Sequence, residues 1–230
     1  MNIAIDGQAG AGKSTIAKAA AAALGSIYVD TGAMYRAMAL FMLQRGISAD
    51  DKAGIERTCE EADISIAHKD GAQHVFLNGE DVTASLRSEA VGDMASKSSV
   101  NAKVRAKLVE LQQKLAETTP VVMDGRDIGT VVLPNAELKI YLTASSYKRA
   151  ERRYKELLER AAASGTSSDE IPSLEEIEKD IIERDYRDMH RENSPLTQAE
   201  DAVVVDSSDM TIEEVTERIM SLARERSAGK

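Results

Sequence analysis

Residues 3–15 read Ile3-Ala4-Ile5-Asp6-Gly7-Gln8-Ala9-Gly10-Ala11-Gly12-Lys13-Ser14-Thr15, and an alanine-rich run follows as far as Leu24. Apolar residues, a glycine loop and then helix formers make the strand–loop–helix frame of a phosphate-binding loop. Three glycines let the backbone curl so that its N–H groups converge on phosphate oxygens, and the helix N-terminus adds partial positive charge. Lys13 is a mobile point charge with the reach of a β- or γ-phosphate, and the Ser14 hydroxyl is a Mg²⁺ ligand in this pattern. Residues 7–15 are therefore the expected ATP-binding segment. A glycine turn that happens to carry a lysine and a serine would not need all eight matched positions in this frame. Kinases, GTPases, transport ATPases and helicases all begin this way, so the rest of the chain must decide between them.

The bulk numbers narrow the field. A length of 230 residues allows one sizeable domain with inserts, or two small ones. An apolar content of 43% suffices for a packed core. A net charge of −10 without a basic block argues against nucleic-acid binding as the main task, although local arginines still suit a mononucleotide. The single cysteine, Cys59, rules out an intrachain disulfide and reads as a small packed side chain on a helix. The N-terminus enters a strand at once, and no apolar run approaches the ~20 residues of a membrane span. The expectation is a soluble cytoplasmic protein, monomeric, with no membrane or nucleic-acid partner.

Outward from the loop, Ile27-Tyr28-Val29 reads as a short buried strand, and a helix capped by Asp30 or Thr31 runs to Gln44. Arg36 lies on that helix near the carboxyl end of the strand, where open α/β sheets bind ligands; otherwise it is a solvated helix arginine. Ser48 to Ala62 reads as a helix capped by Ser48 and Asp50. Residues 63–83 then alternate, with His68-Lys69-Asp70-Gly71 and Asn78-Gly79 as turns, giving a three-stranded antiparallel meander. His68 and His74 lie in or beside those turns and read as surface residues rather than metal ligands. Leu86 to Glu117 reads as two helices broken near Ser98 to Asn101, carrying Ser96 and Arg105, which the pattern alone would leave as surface polar residues.

Pro120-Val121-Val122-Met123-Asp124 is an apolar strand ending in an acid, followed by Gly125-Arg126-Asp127. An acid so placed downstream of a phosphate loop resembles the Walker B arrangement that holds Mg²⁺ through water; a turn-forming aspartate is the alternative. Leu138 to Leu142 and Ala202 to Asp206 are the fourth and fifth main strands. Between them lies a helical hairpin. Ser145 to Ala163 carries Arg149, Arg152, Arg153 and Arg160, and Arg149 and Arg153 share a face. The polar link Ser164–Asp169 leads to a helix from about Ser173 to Arg191, opened by a Ser173/Glu176 capping box. Arg184, Asp188 and Arg191 form one stripe on it, which also fits a solvated i,i+4 ion pair. A closing helix runs from Thr211 to Arg226.

The segments IAIDGQAGAGKST (3–15), VDTGAMYRA (29–37), VVMDGRDIGTVVLPNAELKIYLTAS (121–145), ERDYRDMHRENSPL (183–196) and EDAVVVDSS (200–208), in this order, resemble the bacterial cytidylate kinases over almost the whole chain. Gln8 departs from the proline usual there, which should alter loop stiffness. Thr31 stands where some members have serine.

The resemblance implies an α/β fold with five parallel strands in the order 2-3-1-4-5 and helices on both faces. It divides the chain into a core (1–31, 84–144, 192–230), a monophosphate-binding region with the β insert (32–83) and a mobile lid (145–191). It implies transfer of the ATP γ-phosphoryl to CMP or dCMP with Mg²⁺. Thr31, Arg36 and Arg126 would hold the CMP phosphate; Ser96, Arg105 and Asp127 would read cytosine; Arg184, Asp188 and Arg191 would lie near the ribose and phosphates. Ser14 and, through water, Asp124 would hold the metal. Arg153, in preference to Arg149, is the expected lid arginine. A guanine-reading Asn-Lys-x-Asp motif and a transporter Ser-Gly-Gly run are absent from the sequence, which disfavours a switch GTPase or a transport ATPase. A kinase for another anionic acceptor, such as UMP or a shikimate-like acid, stays open.

Overall fold

The computed structural model describes residues 1–69, 71–165, 167 and 171–228. Five strands form one parallel sheet: β1 (Ile3–Gly7), β2 (Ile27–Asp30), β6 (Val121–Gly125), β7 (Leu138–Thr143) and β8 (Val203–Asp206). Their order is β2-β6-β1-β7-β8, the order that the family resemblance implied. The phosphate-loop strand is thus central, paired in register with β6 (Ile5 opposite Asp124) and with β7 (Ile5 opposite Ile140). All five residues of β1 are buried, as a strand covered on both faces requires.

Alternation along β1 divides the core. Ile3 and Ile5 face α1 (Lys13–Leu24) and α8 (Ile212–Ala228), meeting Ile16, Ala20, Val215 and Ile219. Ala4 faces the other way, among Val29, Met123, Ile128 and Val132. A further apolar cluster draws on α2 (Thr31–Gln44), α3 (Lys52–Glu61), β3 (Ile64–Lys69), β4 (Ala72–Leu77), α4 (Glu89–Ser98) and α5 (Ala102–Thr118). That cluster includes Val104 and Leu108, so the packing around the meander reaches past residue 83 into α5. Cys59 lies inside it, 1% exposed.

The meander is β3 and β4, antiparallel, with β5 (Glu80–Asp81) added on the far edge of β4. Asn78 and Gly79 both have positive φ, 50° and 84°, which is the geometry that makes Asn-Gly a two-residue hairpin. Several boundaries differ from expectation. β3 runs on through His68 and Lys69, which pair with Gln73 and Ala72 of β4 where the sequence reading had a turn. The helix expected over Ser48 to Ala62 begins at Lys52, because Asp51, not Ser48 or Asp50, accepts from Gly54 N at 2.8 Å. The third meander strand stops at Asp81, whose carboxylate bonds the Thr83 N–H and hydroxyl and starts a 3-10 turn, Thr83–Arg87. Leu86 belongs to that turn, and α4 starts only at Glu89, capped by Ser88.

The hairpin consists of α6 (Ser146–Ser164), capped by Ser145, and α7 (Leu174–His190), with the Ser173/Glu176 capping box in place. Thr166, Ser168 and Asp169 of the expected link, and Asp70 of the first meander turn, lie outside the described residues. No described helix is long and apolar enough to cross a membrane.

Candidate active site

The loop after β1 is shaped by its glycines. Gly7 has φ 150°, and a Cβ there would sit 1.9 Å from Leu142 O of β7, so only glycine fits where the chain leaves the sheet. Gly12, at φ 88°, precedes α1 with no side-chain hydrogen bond to its first N–H groups. That leaves the positive end of the helix turned to the loop, the arrangement that binds phosphate. Gln8 takes part in the loop as an acceptor. Its side-chain oxygen accepts from Thr143 Oγ1 at 2.9 Å and its carbonyl accepts from Lys13 Nζ at 2.7 Å, so hydrogen bonds to β7 and to the lysine brace the loop at the position where proline is usual.

Two cavities open from this loop. The first, about 370 Å³, runs from Lys13 and Ser14 between α2, α4, α5 and the β6 loop. Every acceptor-side residue expected from the sequence lines it: Thr31, Arg36, Ser96, Arg105, Arg126, Asp127, Arg184, Asp188 and Arg191. The second, about 660 Å³, runs from the same loop along α6 and α8, with Met210, Ile212 and Val215 as its apolar side and Arg149, Arg152 and Arg153 opposite. Gly10, Lys13 and Ser14 belong to both.

The first cavity is lined by cations paired with carboxylates. Arg36 donates to Asp30 at 2.9 Å, and Asp30 also caps α2 through Ala33 N. Arg126 Nε donates to Asp188 at 2.7 Å. Asp188 therefore reaches across to the β6 loop rather than forming the local helix pair its spacing also allowed; burial would raise its pKa, but Arg126 and Arg184 bring it below the ordinary carboxylate range. Arg105 and Asp127, 6% and 5% exposed, form a buried ion pair, with the guanidinium 6.0 Å from the Tyr35 ring. One terminal nitrogen of Arg191 has no hydrogen-bond acceptor among the described residues and lies 3.9 Å from Asp127. Thr31 Oγ1 donates to Asp124 O, tying α2 to the end of β6.

Between the cavities, Ser14 Oγ donates to Asp124 Oδ2 at 3.0 Å and Tyr28 OH to Asp124 Oδ1 at 2.8 Å. Burial, and then Asp30 nearby, raise the Asp124 pKa, while burial and then Arg126 lower Lys13 to about 7. An oxyanion beside Lys13 would favour its charged form again, and a cation beside Asp124 would do the same for the carboxylate. A hydroxyl and a carboxylate at the edge of a phosphate loop are hard oxygen donors of the kind Mg²⁺ takes, so the set fits that ion.

Arg153, the expected lid arginine, is on the second cavity and paired with Glu156 at 2.8 Å. Arg149, one turn earlier, is 3% exposed. It makes a bidentate pair with Asp185 of α7 (3.0 and 2.6 Å) and donates to Ala9 O in the loop at 3.0 Å. Sequence reasoning missed Gln112 and Tyr35 on the first cavity and Met210, Ile212 and Val215 on the second. Gln112 lies seven residues after Arg105 on α5, on the same face, and that spacing was a usable signal. The apolar wall follows β8 directly, in a segment whose pattern says only that a helix begins.

The family model for cytidylate kinase matches residues 3–225. The chain is 51% identical over 222 residues to the cytidylate kinase of Caldicellulosiruptor bescii, covering 96% of this chain and 95% of that protein. It is 47% identical over 226 residues to that of Ligilactobacillus salivarius, covering 98% and 97%. Among solved structures, a gluconokinase from Sinorhizobium meliloti covers 99% of this chain and 94% of its own at 15% identity and a TM-score of 0.50, a likeness of fold only. With a full-length family match and relatives at this identity, the chain belongs to the cytidylate kinase family.

Proposed function

We propose that the protein transfers the γ-phosphoryl group of ATP to CMP or dCMP, giving the nucleoside diphosphate and ADP. The observation that carries this reading is the meeting of two cavities at Gly10, Lys13 and Ser14, one with an apolar wall and the other lined by arginine–carboxylate pairs. ATP lies along the second, its base against Met210, Ile212 and Val215 and its phosphates in the loop 7–15. The monophosphate lies in the first, its phosphate held by Thr31, Arg36 and Arg126 and its base against Ser96, Arg105 and Asp127; Arg184, Asp188 and Arg191 lie near the ribose and phosphates.

In-line transfer then needs no nucleophilic side chain. The reactants are held end to end, and fixed cations balance the negative charge on the phosphoryl group as it moves. Lys13 and the arginines of both cavities are those cations, with Arg153 reaching in from the lid. Ser14, and Asp124 through water, would hold Mg²⁺, which when bound neutralises charge on the phosphate oxygens. Closure of residues 145–191 over the donor side would exclude water and so suppress ATP hydrolysis. The same proposal makes the protein a cytoplasmic monomer in pyrimidine nucleotide metabolism; its one buried, unbridged cysteine suits a reducing compartment.

An ADP-release assay with Mg·ATP against CMP, dCMP, UMP, AMP, GMP and shikimate tests the reading. CMP and dCMP should turn over fastest. A higher kcat/KM for UMP or shikimate would overturn the acceptor assignment.

A further inference from the structure

Asp6 is a charged residue type inside the most buried strand of the protein, 5% exposed, directly before the phosphate loop. Its Oδ1 accepts from Ile128 N and its Oδ2 from Gly129 N, both at 2.7 Å. Those N–H groups open the short turn Ile128–Val132, which is wound wider than an α-helix: Val132 N bonds Asp127 O, and Leu133 N bonds Ile128 O. The residue before a helical turn can cap it with its own side chain, and aspartate is among the residues that do so best. Here that residue is Asp127, and its side chain makes no cap bond. Its carboxylate is turned to Arg105 instead.

We propose that Asp6 is a positioning residue for recognition of the acceptor base: by capping the turn from the neighbouring strand, it releases the Asp127 carboxylate to face Arg105 and the base. The inference rests on the assignment of Arg105 and Asp127 to the acceptor base made above. Its physical basis is competition. Two buried N–H groups must find an acceptor, and without a carboxylate at residue 6 the nearest in sequence is the side chain of Asp127, at the cap position of this turn. The same contact joins the two cavities, because Asp6 is followed directly by the loop that holds the donor phosphates. Gly129 is part of the fit: a Cβ there would meet Lys139 Cδ at 3.1 Å and Asp6 Oδ2 at 3.3 Å.

Asp6→Asn keeps the shape and replaces one acceptor by a donor, which would face a donor. Steady-state kinetics with CMP and with UMP, at saturating Mg·ATP, should show a KM for CMP raised about tenfold or more and a CMP-to-UMP ratio of kcat/KM reduced by a similar factor. The KM for ATP, measured at saturating CMP, should change less than about threefold, a split that a general loosening of the fold would not produce. Gly129→Ala, which presses on the same contact from the other side, should shift the ratio in the same direction by less, and it decides the matter if Asp6→Asn does not fold. An unchanged KM for CMP and unchanged ratio in both variants, or a loss confined to the KM for ATP, would overturn the inference. Wild-type enzyme that does not itself prefer CMP to UMP would instead overturn the base assignment on which it rests.

Discussion

The two cavities on either side of Lys13 are built from different materials. On the acceptor side, side chains line the cavity as charge pairs, one local (Arg36–Asp30) and two that join separate elements (Arg105–Asp127 and Arg126–Asp188). The donor side presents the phosphate loop and the N-terminal end of a helix, its apolar side is three aliphatic or thioether side chains, and Arg153 pairs with an exposed neighbour, Glu156. Backbone groups and apolar surface take any nucleoside triphosphate of the right shape. Charged side chains with fixed donors and acceptors do not. On the assignment proposed above, substrate choice resides on the acceptor side, and changes on the donor side alter how fast, rather than on what, the enzyme acts.

The sharpest way to break that contrast is at Arg105 and Asp127. Cytosine presents an acceptor at N3 and a donor at N4; uracil presents the reverse. A guanidinium has only donors and an ionised carboxylate only acceptors. UMP would set donor against donor and acceptor against acceptor, leaving the Arg105–Asp127 pair without matching groups on the base, a loss of roughly a thousandfold in kcat/KM. Arg105→Met and Asp127→Ala should each lower kcat/KM for CMP by about that factor, fall much less for UMP, and so narrow the ratio. A CMP-to-UMP ratio that stays put in both variants would move base reading to Ser96, Gln112 or the backbone.

On the donor side the largest effect should be structural. Arg149 is buried in a bidentate pair with Asp185 and also holds Ala9 O, so Arg149→Met leaves a buried carboxylate without its partner at a cost of about 3 kcal/mol. In a chain of this length that lowers Tm by roughly 6–12 °C by calorimetry. Arg153→Met, one turn along the same helix, should leave Tm within about 1 °C, as expected for an exposed ion pair. Equal shifts in the two variants would erase the distinction between them.

Next comes Lys13→Ala. The lysine belongs to both cavities and can follow the γ-phosphate as charge redistributes, so it contributes more in the transition state than in the ground state. A fall in kcat of at least about a hundredfold, with the Tm retained, is expected for CMP and dCMP alike. Near-normal turnover would remove the loop from the chemistry. A fall that differed strongly between the two acceptors would blur the division of labour between the cavities.

How much of this could be read in the sequence follows the range of the interactions. The phosphate loop, the acid ending β6, the capping box at Ser173 and the Asn78-Gly79 hairpin are local patterns, and all stand where the sequence placed them. The α2 cap is local too, and the structure resolves the choice between Asp30 and Thr31 in favour of Asp30. The sheet order and the acceptor residues came from resemblance, since no periodicity encodes which strands pair. Illegible were contacts made at distance. Asp188 has an arginine four residues before it, yet it bonds one 62 residues upstream. Arg149 and Arg153 share a helix face, but only Arg149 lies in the first turn, under the loop and against α7. Asp51 rather than Asp50 caps α3 because adjacent acids have similar intrinsic preference and the backbone geometry selects one.

The smallest effect expected links the two cavities through Asp6 and is read in stability, not turnover. Burial raises the Asp6 pKa from 3.8 to about 6, partly offset by the Gly129 and Ile128 N–H groups; Asp127 raises it and Lys13 lowers it. Beyond these, β7 contributes Tyr141 and Lys139, the latter paired with Asp201. A carboxylate with a raised folded-state pKa takes up its proton in the folded state first. Between pH 6 and 4 the folded protein thus binds more protons at this site than the unfolded chain does, so this group's contribution to stability rises as pH falls and is lost as pH rises through 6. The shift sets an upper bound of about 3 kcal/mol, and roughly half of that should be seen over the range in which the protein stays folded. Other carboxylates titrate over the same range, so the quantity to measure is the difference in Tm between wild type and Asp6→Asn at several pH values. Wild type should gain on the variant by about 3 °C from pH 6.5 to pH 4.5. A difference that is flat with pH, or one that falls as the solution is acidified, would mean that Asp6 keeps an ordinary carboxylate's affinity for its proton inside the sheet.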